Sequence, residues 1–282
     1  MRFIYTLCFS LLCFYGFSQL KTPSASTASE VDQTVGLTEI EVEYNRPSKR
    51  GRDIFGNLVP FGKLWRTGAN SGTEISFSTD VSINGENIKE GTYSIFSIPN
   101  EDSWSIIFYS DTDLWSVPRN WDESKVVFQS DFATNLYNSH TVETFTISFD
   151  DITNNDANLV FSWDDTYVEV PVEVPTIQLV ENQIESVMSG DPKSSDYYSA
   201  AVYYLQENNK LDVALKWINK AMEMTENPRF FQLRQQSLIL AANGKYREAV
   251  KVAKKSLDLS VKANNQDYIK MNNDSIEEWS NM

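Results

Sequence analysis

Apolar and polar residues alternate along the chain over residues 31–174, and a period of two residues predicts β-strands. The stretch EIEVEYN puts Ile40, Val42 and Tyr44 on one face and three glutamates on the other. TEISFS and ETFTISF repeat the alternation, TYSIFSIP and WSIIFYS are rich in β-branched and aromatic residues, and Asn84-Gly85 is a hairpin signal. The pattern predicts an antiparallel β-sandwich or an open barrel.

The pattern changes after Pro175. Pro171 interrupts the last predicted strand and, because proline donates no hydrogen bond to a β-ladder, it predicts an edge position for that strand. Beyond it, the spacing of apolar residues predicts a first helix over Thr176–Met188. We therefore expect an all-β domain over residues 19–175 and an all-α domain over residues 176–282.

The helical half contains an internal repeat. NNKLDVALKWINKAMEM and NGKYREAVKVAKKSLDL begin 35 residues apart and align without gaps. Such a period, with a turn followed by Ala214 or Ala249, is typical of helical repeats, and NGKYREA resembles the turn of a tetratricopeptide repeat. We expect helices over residues 196–207 and 229–242, and a last helix in QDYIKMNNDSIEEWSNM. The alternative is a generic pair of helical hairpins.

Residues 1–18 have the pattern of a secretory signal peptide. Arg2 precedes an apolar run from Phe3 to Phe17, and small residues stand before a cleavage site at Gln19. The run is too short to cross the roughly 30 Å hydrocarbon layer of a membrane. We expect a periplasmic or secreted protein whose mature chain has no membrane span.

Charge and residue usage exclude several classes of function. The formal net charge is −15 at pH 7, and neither half is basic overall, as a nucleic-acid-binding domain would be. Both cysteines lie in the predicted signal peptide, and His140 is the only histidine. Catalytic triads, cysteine–histidine pairs and histidine-rich zinc sites are thereby excluded. We expect no cofactor, no metal and no catalytic residue; a carboxylate-dependent hydrolase, such as a glycosidase, is the enzymatic alternative.

The β half also carries two short sequence motifs. YNRP begins at Tyr44, and GKLWRTGAN runs from Gly62 to Asn70. With these motifs and the strands around them, residues 21–174 resemble a family of exported bacterial proteins catalogued as domain of unknown function 2911 (DUF2911). The resemblance implies a β-rich exported domain, sometimes followed by helical repeats, and it implies no activity.

Positive side chains are crowded into a short part of this acidic half. Residues 19–175 contain 25 acidic and 10 basic residues, and six of the basic ones lie between positions 46 and 66. One interpretation is a site for an anionic or glycan ligand, because guanidinium groups grip carboxylates and phosphates with two parallel hydrogen bonds. The candidate ligand-binding residues are Arg46, Arg50, Arg52, Lys63, Trp65, Arg66 and Asn70.

The other interpretation of this segment is structural. A long connection between two strands has to be tied to its domain, and the glutamates at 39, 41 and 43 are within reach as partners for the arginines. The side chains expected to pin the segment to the core are Phe55, Leu58, Val59, Phe61, Leu64 and Trp65. The sequence leaves both interpretations open.

Two tryptophans form a second candidate site. Trp115 and Trp121 lie in the polar stretch DTDLWSVPRNWDES, where they form either a carbohydrate platform or part of the core. Stacked helical repeats offer a concave surface and rarely carry active sites. The sequence therefore predicts an exported, non-catalytic binding protein, with a β domain for an anionic or glycan ligand and helical repeats for a protein or peptide partner.

Overall fold

The computed structural model describes residues 22–282, so the predicted signal peptide lies outside the described residues. The chain forms two compact units, which meet in sequence between Thr176 and Ile177. The first unit is built from strands and the second from helices. The prediction of an all-β antiparallel domain followed by an all-α domain is confirmed.

The β unit consists of two antiparallel sheets. The first sheet has the strand order β1-β2-β3-β6-β7-β8, and the second has the order β10-β11-β12-β4-β5, with β9 paired to β12. The strands are β1 (Thr27–Val35), β2 (Thr38–Arg46), β3 (Thr73–Phe77), β4 (Val81–Ile83), β5 (Glu86–Ile88), β6 (Gly91–Pro99), β7 (Ser103–Tyr109), β8 (Val126–Ala133), β9 (Asn135–Leu136), β10 (Val142–Asp150), β11 (Asp156–Asp164) and β12 (Thr166–Glu173).

The main core lies between the two sheets and follows the predicted alternation. Ile40, Val42 and Tyr44 of β2 are buried, while the glutamates between them face outward. The hydroxyl of Tyr44 accepts a hydrogen bond from the backbone N–H of Ile147 in β10 at 3.0 Å, which joins the two sheets inside the core. The Asn84-Gly85 turn is confirmed between β4 and β5, and both residues have positive φ, as a tight hairpin requires.

The predicted edge position of β12 is wrong. This strand lies between β11 and β4, and Pro171 pairs with Asn158 of β11. On its other side β12 pairs with the three-residue strand β4 only at Glu173. The proline is tolerated because no ladder bond is required on that side at its position.

Residues 47–72 connect β2 to β3 and contain most of the basic segment. We call this connection the β2–β3 loop. It forms isolated bridges with both sheets, through Ser48 with Thr144 of β10 and through Trp65 with Ser97 of β6. Ile54, which the sequence analysis did not single out, is 1% exposed in the main core. The loop therefore joins both sheets and contributes to the core between them.

The predicted apolar anchors of this loop divide into three groups. Phe55, Val59 and Trp65 pack on the main core, as predicted. Leu64 packs instead on a smaller cluster formed by the opposite face of β6 and β7. Leu58 and Phe61 are exposed, so their predicted role as anchors is wrong. The ring of Phe61 lies against Gly56, which has no side chain to fill that space.

The α unit contains six helices. The first covers the predicted residues, and the two helices expected at 196–207 and 229–242 are found within two residues of those bounds. Ala214 and Ala249 are fully buried where α2 packs on α3 and α4 on α5, as the repeat alignment predicts. The identity of the repeats as tetratricopeptide repeats stays a prediction. The helices are α1 (Thr176–Met188), α2 (Ser194–Gln206), α3 (Leu211–Glu223), α4 (Phe230–Ala242), α5 (Tyr246–Lys262) and α6 (Gln266–Ser280).

Among residues 22–282, no helix has both the length and the apolar character that crossing a membrane would require.

Candidate functional site

The structure separates Arg46 from the other arginines of the basic segment. Arg46 is the last residue of β2 and lies on the same strand face as Ile40, Val42 and Tyr44. Its Nε donates to the carbonyl oxygen of Phe145 at 2.9 Å, and its Nη2 donates to Oγ1 of Thr146 at 2.7 Å. Both acceptors belong to β10 of the opposite sheet, so Arg46 ties the two sheets together.

Lys49 and Asn70 also have structural partners. Lys49 forms an ion pair with Asp164, and this contact raises the pKa of the lysine. The side-chain amide of Asn70 donates to the carbonyl oxygen of Ser26 at 3.1 Å. Lys63 is exposed and lies outside the cavity lined by Arg50, Arg52 and Arg66. Three of the seven predicted ligand-binding residues, Arg46, Lys63 and Asn70, thus do not line the cavity that the other four share.

The remaining four predicted residues line one cavity. Arg50, Arg52, Trp65 and Arg66 surround a space of about 530 Å³, which we call the arginine pocket. This volume is in the range of small-molecule sites. The other lining residues are Ala25, Ser26, Pro47, Ser48, Leu58, Val59, Gly68, Ala69 and Trp163.

The three guanidinium groups of the pocket donate to carbonyl oxygens. Arg50 Nη2 donates to Ala25 at 3.0 Å. Arg52 donates from Nε to Lys49 at 2.9 Å and from Nη2 to Ser48 at 2.6 Å, both within its own turn.

Arg66 connects two segments of the β unit. Its Nη1 donates to the carbonyl oxygen of Asn70 at 3.0 Å and to that of Trp115 at 2.7 Å.

Within residues 22–282, none of these arginines forms an ion pair with a carboxylate. The prediction that Glu39, Glu41 and Glu43 pair with these arginines is therefore wrong. A guanidinium carries five N–H donors, and the bonds above use one donor of Arg50 and two each of Arg52 and Arg66. Positive charge and hydrogen-bonding capacity remain at the pocket.

Trp65 does not serve as an open stacking surface. Its ring stacks on Trp163 with centroids 6.0 Å apart and planes at 18°, and it meets Phe145 edge-on at 5.2 Å. Trp104 and Phe55 complete this aromatic cluster. The ring is half-buried and forms part of the apolar wall of the pocket.

The backbone around the pocket is held in an uncommon conformation. Arg50, Thr67 and Asn70 have φ angles of 50°, 54° and 55°, in the left-handed region that L-residues rarely adopt. Thr67 is β-branched and fully buried, and its carbonyl oxygen accepts a hydrogen bond from Oγ1 of Thr73 at 2.6 Å. Strained residues of this kind concentrate at functional sites.

The predicted platform of Trp115 and Trp121 is not formed. Trp121 packs on Phe96 and Tyr109, with ring centroids 5.3 Å and 4.5 Å away, in the smaller cluster of the first sheet. Trp115 is 71% exposed and lines a different cavity, next to β1 and β2. The two rings therefore do not make one surface.

One group of carboxylates lies on the outer face of the first sheet. Oxygen atoms of Glu30, Asp32 and Glu41 are all within 4.8 Å of one another. The pKa of Glu41 is raised above its usual value, first by burial and then by repulsion from Glu30, Asp32 and Glu43. Glu30 and Asp32 are exposed, and such groups are common on acidic surfaces; this cluster alone does not define a metal site or a catalytic pair.

The comparison with protein families agrees with the motifs in the β unit. A family model described as protein of unknown function (DUF2911) matches residues 26–172, which is more than half of the chain. The chain belongs to this family. No curated protein and no solved structure matches the chain. The resemblance carried by YNRP and GKLWRTGAN is confirmed, and the family description assigns no activity.

The family motifs contribute residues to the link between the two sheets and to the arginine pocket. YNRP contains Tyr44 and Arg46, which join the two sheets. GKLWRTGAN contributes Trp65 and Arg66 to the arginine pocket. Sequence analysis missed Trp163, which lines the pocket beside Trp65, because its contact with Trp65 spans almost one hundred positions.

Proposed function

We propose that this member of the DUF2911 family is an exported, non-catalytic binding protein whose β unit binds an anionic ligand in the arginine pocket. One observation carries the proposal: three guanidinium groups line a single cavity, and none of them pairs with a carboxylate in residues 22–282. In a half with 25 acidic residues, ion-pair partners for these arginines are plentiful. Their positive charge is therefore available to a ligand.

The chemistry of the pocket defines the class of ligand. Arginine forks bind carboxylate and phosphate groups with short, charge-assisted hydrogen bonds. The walls made by Trp65, Trp163 and Val59 are apolar and favour a hydrophobic body beside the anionic group. We infer a small organic acid or phosphate ester that carries a ring or a branched apolar part.

The same proposal includes export of the protein and the binding of a protein or peptide partner by its helices. The signal-peptide pattern of residues 1–18 supports a periplasmic or secreted location. The paired helices with buried Ala214 and Ala249 support a helical surface for a protein or peptide partner. Retention of one envelope protein by the immobilised mature chain, and its loss after changes on the α2 or α4 surface, would test this part.

The hydrolase alternative has less support. A glycosidase needs two carboxyl groups that flank the bond to be broken, one of them with a raised pKa. Glu41 has a raised pKa, but its neighbours Glu30 and Asp32 are exposed on an outer sheet face. The β unit therefore supports binding better than hydrolysis.

The proposal is tested by calorimetric titration of the mature protein, residues 19–282, with phenyl phosphate, benzoate and inorganic phosphate at low ionic strength. We expect phenyl phosphate and benzoate to bind more tightly than inorganic phosphate, because only they fill the apolar wall. Arg52→Ala should weaken this binding about tenfold or more, which corresponds to the loss of a charge-assisted contact. Added salt should weaken it as well.

Lys63→Ala is the matched control. It removes one positive charge from the same segment, but Lys63 does not line the pocket. We expect its affinity to stay within about twofold of the unmodified protein, since long-range charge effects are screened. Equal losses for Lys63→Ala and Arg52→Ala, or no binding of any of the three anions, would contradict the proposal.

A further inference from the structure

A second cavity of the β unit lies beside Trp115. Of the seven tryptophans of the chain, all within the described residues, Trp115 is the one with a largely exposed ring, at 71%. By contrast, Trp104 and Trp163 are at most 1% exposed. Leaving an indole in water forgoes the stabilisation that its burial would give. An exposed ring beside a cavity is therefore a candidate contact for a ligand.

Hydrogen bonds hold the backbone at Trp115 and at the two residues before it. The carbonyl oxygen of Trp115 accepts the hydrogen bond from Arg66 at 2.7 Å. The preceding carbonyl, of Leu114, accepts from the backbone N–H of Gly72 at 2.5 Å. The N–H of Asp113 donates to Oε1 of Glu74 at 2.6 Å. The indole is thus presented by a well-anchored segment.

Gly72 shows how closely this segment approaches the β2–β3 loop. A Cβ atom at Gly72 would lie 2.7 Å from the carbonyl oxygen of Leu114, nearer than real Cβ atoms come. The contact therefore requires glycine at this position. The loop and the Trp115 segment are packed together.

The cavity next to the ring has a volume of about 550 Å³ and a lining that combines polar and apolar groups, and we call it the Trp115 cleft. The amide of Asn45 donates to Oγ of Ser71 at 2.7 Å within its wall. Carboxylates, hydroxyls and an amide together offer many acceptors and several donors for hydrogen bonds. The polar side chains of the lining include Ser29, Glu43, Asn45, Ser71, Glu74 and Asp113.

We propose that the Trp115 cleft binds a neutral saccharide. The C–H face of a pyranose is apolar and stacks on an exposed indole, and its hydroxyl groups both donate and accept hydrogen bonds. The carboxylates of Glu43, Glu74 and Asp113 accept from such hydroxyls and repel anionic sugars. Among residues 22–282, no arginine or lysine lines the cleft, so its ligand class differs from that of the arginine pocket.

The saccharide site is distinct from the proposed anion site. In the described part of the chain, the two cavities have no lining residue in common, and the proposed ligands differ in charge. Arg52→Ala should therefore leave saccharide binding unchanged, while Trp115→Ala should leave the binding of phenyl phosphate unchanged. Failure of one proposal can be told from failure of the other.

The experiment titrates the mature protein with neutral hexasaccharides, namely cellohexaose, maltohexaose, xylohexaose and N-acetylchitohexaose, and follows binding by calorimetry. We expect at least one of them to bind with a Kd of about 1 mM or below. Trp115→Ala should weaken that binding about tenfold, which is the size of a lost aromatic contact. Trp115→Phe should keep it within about threefold, because phenylalanine retains a stacking face.

Phe61→Ala is the control for loss of an exposed aromatic ring. Phe61 is 37% exposed, does not line the Trp115 cleft, and its replacement should leave saccharide binding unchanged. The proposal is overturned if none of the four hexasaccharides binds, or if Trp115→Ala binds as tightly as the unmodified protein. It is also overturned if the ring-dependent ligand proves to be an organic cation such as spermidine or an anionic saccharide such as polygalacturonate.

Discussion

The Nε atom of Arg46 lies 2.9 Å from the carbonyl oxygen of Phe145, and this hydrogen bond crosses from the first sheet to the second. A second bond from the same guanidinium reaches Thr146. Arg46, the one charged residue of the YNRP motif, therefore links the two sheets of the sandwich.

This relationship predicts a loss of stability in Arg46→Ala. The change leaves partly buried acceptors on β10 without their donor, and we expect the free energy of unfolding to fall by about 2 kcal/mol. Urea unfolding of the mature protein, followed by tryptophan fluorescence, measures it. Arg52→Ala is the control: its two bonds stay within one exposed turn, and its cost should be about 0.5 kcal/mol or less. Equal costs for the two variants would mean that Arg46 is not a link between sheets.

Gly36→Ala is expected to be strongly destabilising. Gly36 has a φ of +56°, and a Cβ atom there would lie 1.8 Å from Oγ1 of Thr176 and 2.2 Å from the carbonyl oxygen of Asn154. The backbone has to move, which we expect to cost about 3 kcal/mol or more. Gly51→Ala is the matched variant, since Gly51 has a φ of +70° but open space around it. Gly51→Ala should lower the free energy of unfolding by about 1 kcal/mol. If the two variants unfold at similar urea concentrations, the clash at Gly36 does not determine stability.

Glu41→Gln is expected to stabilise the protein at neutral pH. Because the pKa of Glu41 is raised in the folded protein, its charged form is less favourable there than in the unfolded chain. Protonation of Glu41 therefore favours the folded protein. This contribution to the free energy of unfolding is fully present below the pKa of a free glutamate, about 4.3. It is lost as the pH rises through the raised pKa of the folded protein.

Calorimetry at two pH values measures this effect. At pH 7 we expect Glu41→Gln to raise Tm by about 1 to 2 °C, because Glu41 is only partly buried and its charge is partly screened by solvent. At a pH of about 3.5 the two proteins should unfold at the same temperature. Glu39→Gln removes the same charge two positions earlier on the same strand face, and its effect at pH 7 should be smaller. An equal rise in Tm at pH 7 for Glu41→Gln and Glu39→Gln would indicate only a general effect of net charge.

Ala214→Leu and Ala249→Leu are expected to disturb the packing of the helix pairs. Both alanines are fully buried, and overpacking such a position typically costs about 1–3 kcal/mol. Ala242→Leu is the control at an exposed position near the end of α4, where we expect a change below about 0.5 kcal/mol. Urea unfolding followed by far-UV circular dichroism near 222 nm, where helices dominate the signal, reports on the α unit.

Much of the fold was predictable because it follows from local periodicity. The alternation in EIEVEYN identified the buried face of β2, and the same period of two places Arg46 on that face with Tyr44. This periodicity by itself distinguishes Arg46 from the arginines of the β2–β3 loop, which follow no strand pattern. The alignment of Ala214 with Ala249 identified the helix pairs for a similar reason, because packed helices need small residues at fixed spacing.

The arginine pocket was predictable only in part, because its shape depends on contacts between distant positions. Arg50, Arg52 and Arg66 were expected to act together, and they do line one cavity. The wall formed by Trp163 and the bond from Arg66 to Trp115 join residues far apart in the chain. These contacts determine the orientation of each guanidinium group, which therefore cannot be predicted from the local sequence pattern.

The acidic face that includes Glu41 has a consequence for the behaviour of the protein at high concentration. Strand β1 is an edge of the first sheet, and an open edge is a template on which a strand of another molecule can pair. Glu30 and Asp32 stand exposed on this strand beside Glu41. Repulsion between such edges on two molecules opposes their association. The same charges that weaken folding at neutral pH thus protect the edge strand from aggregation.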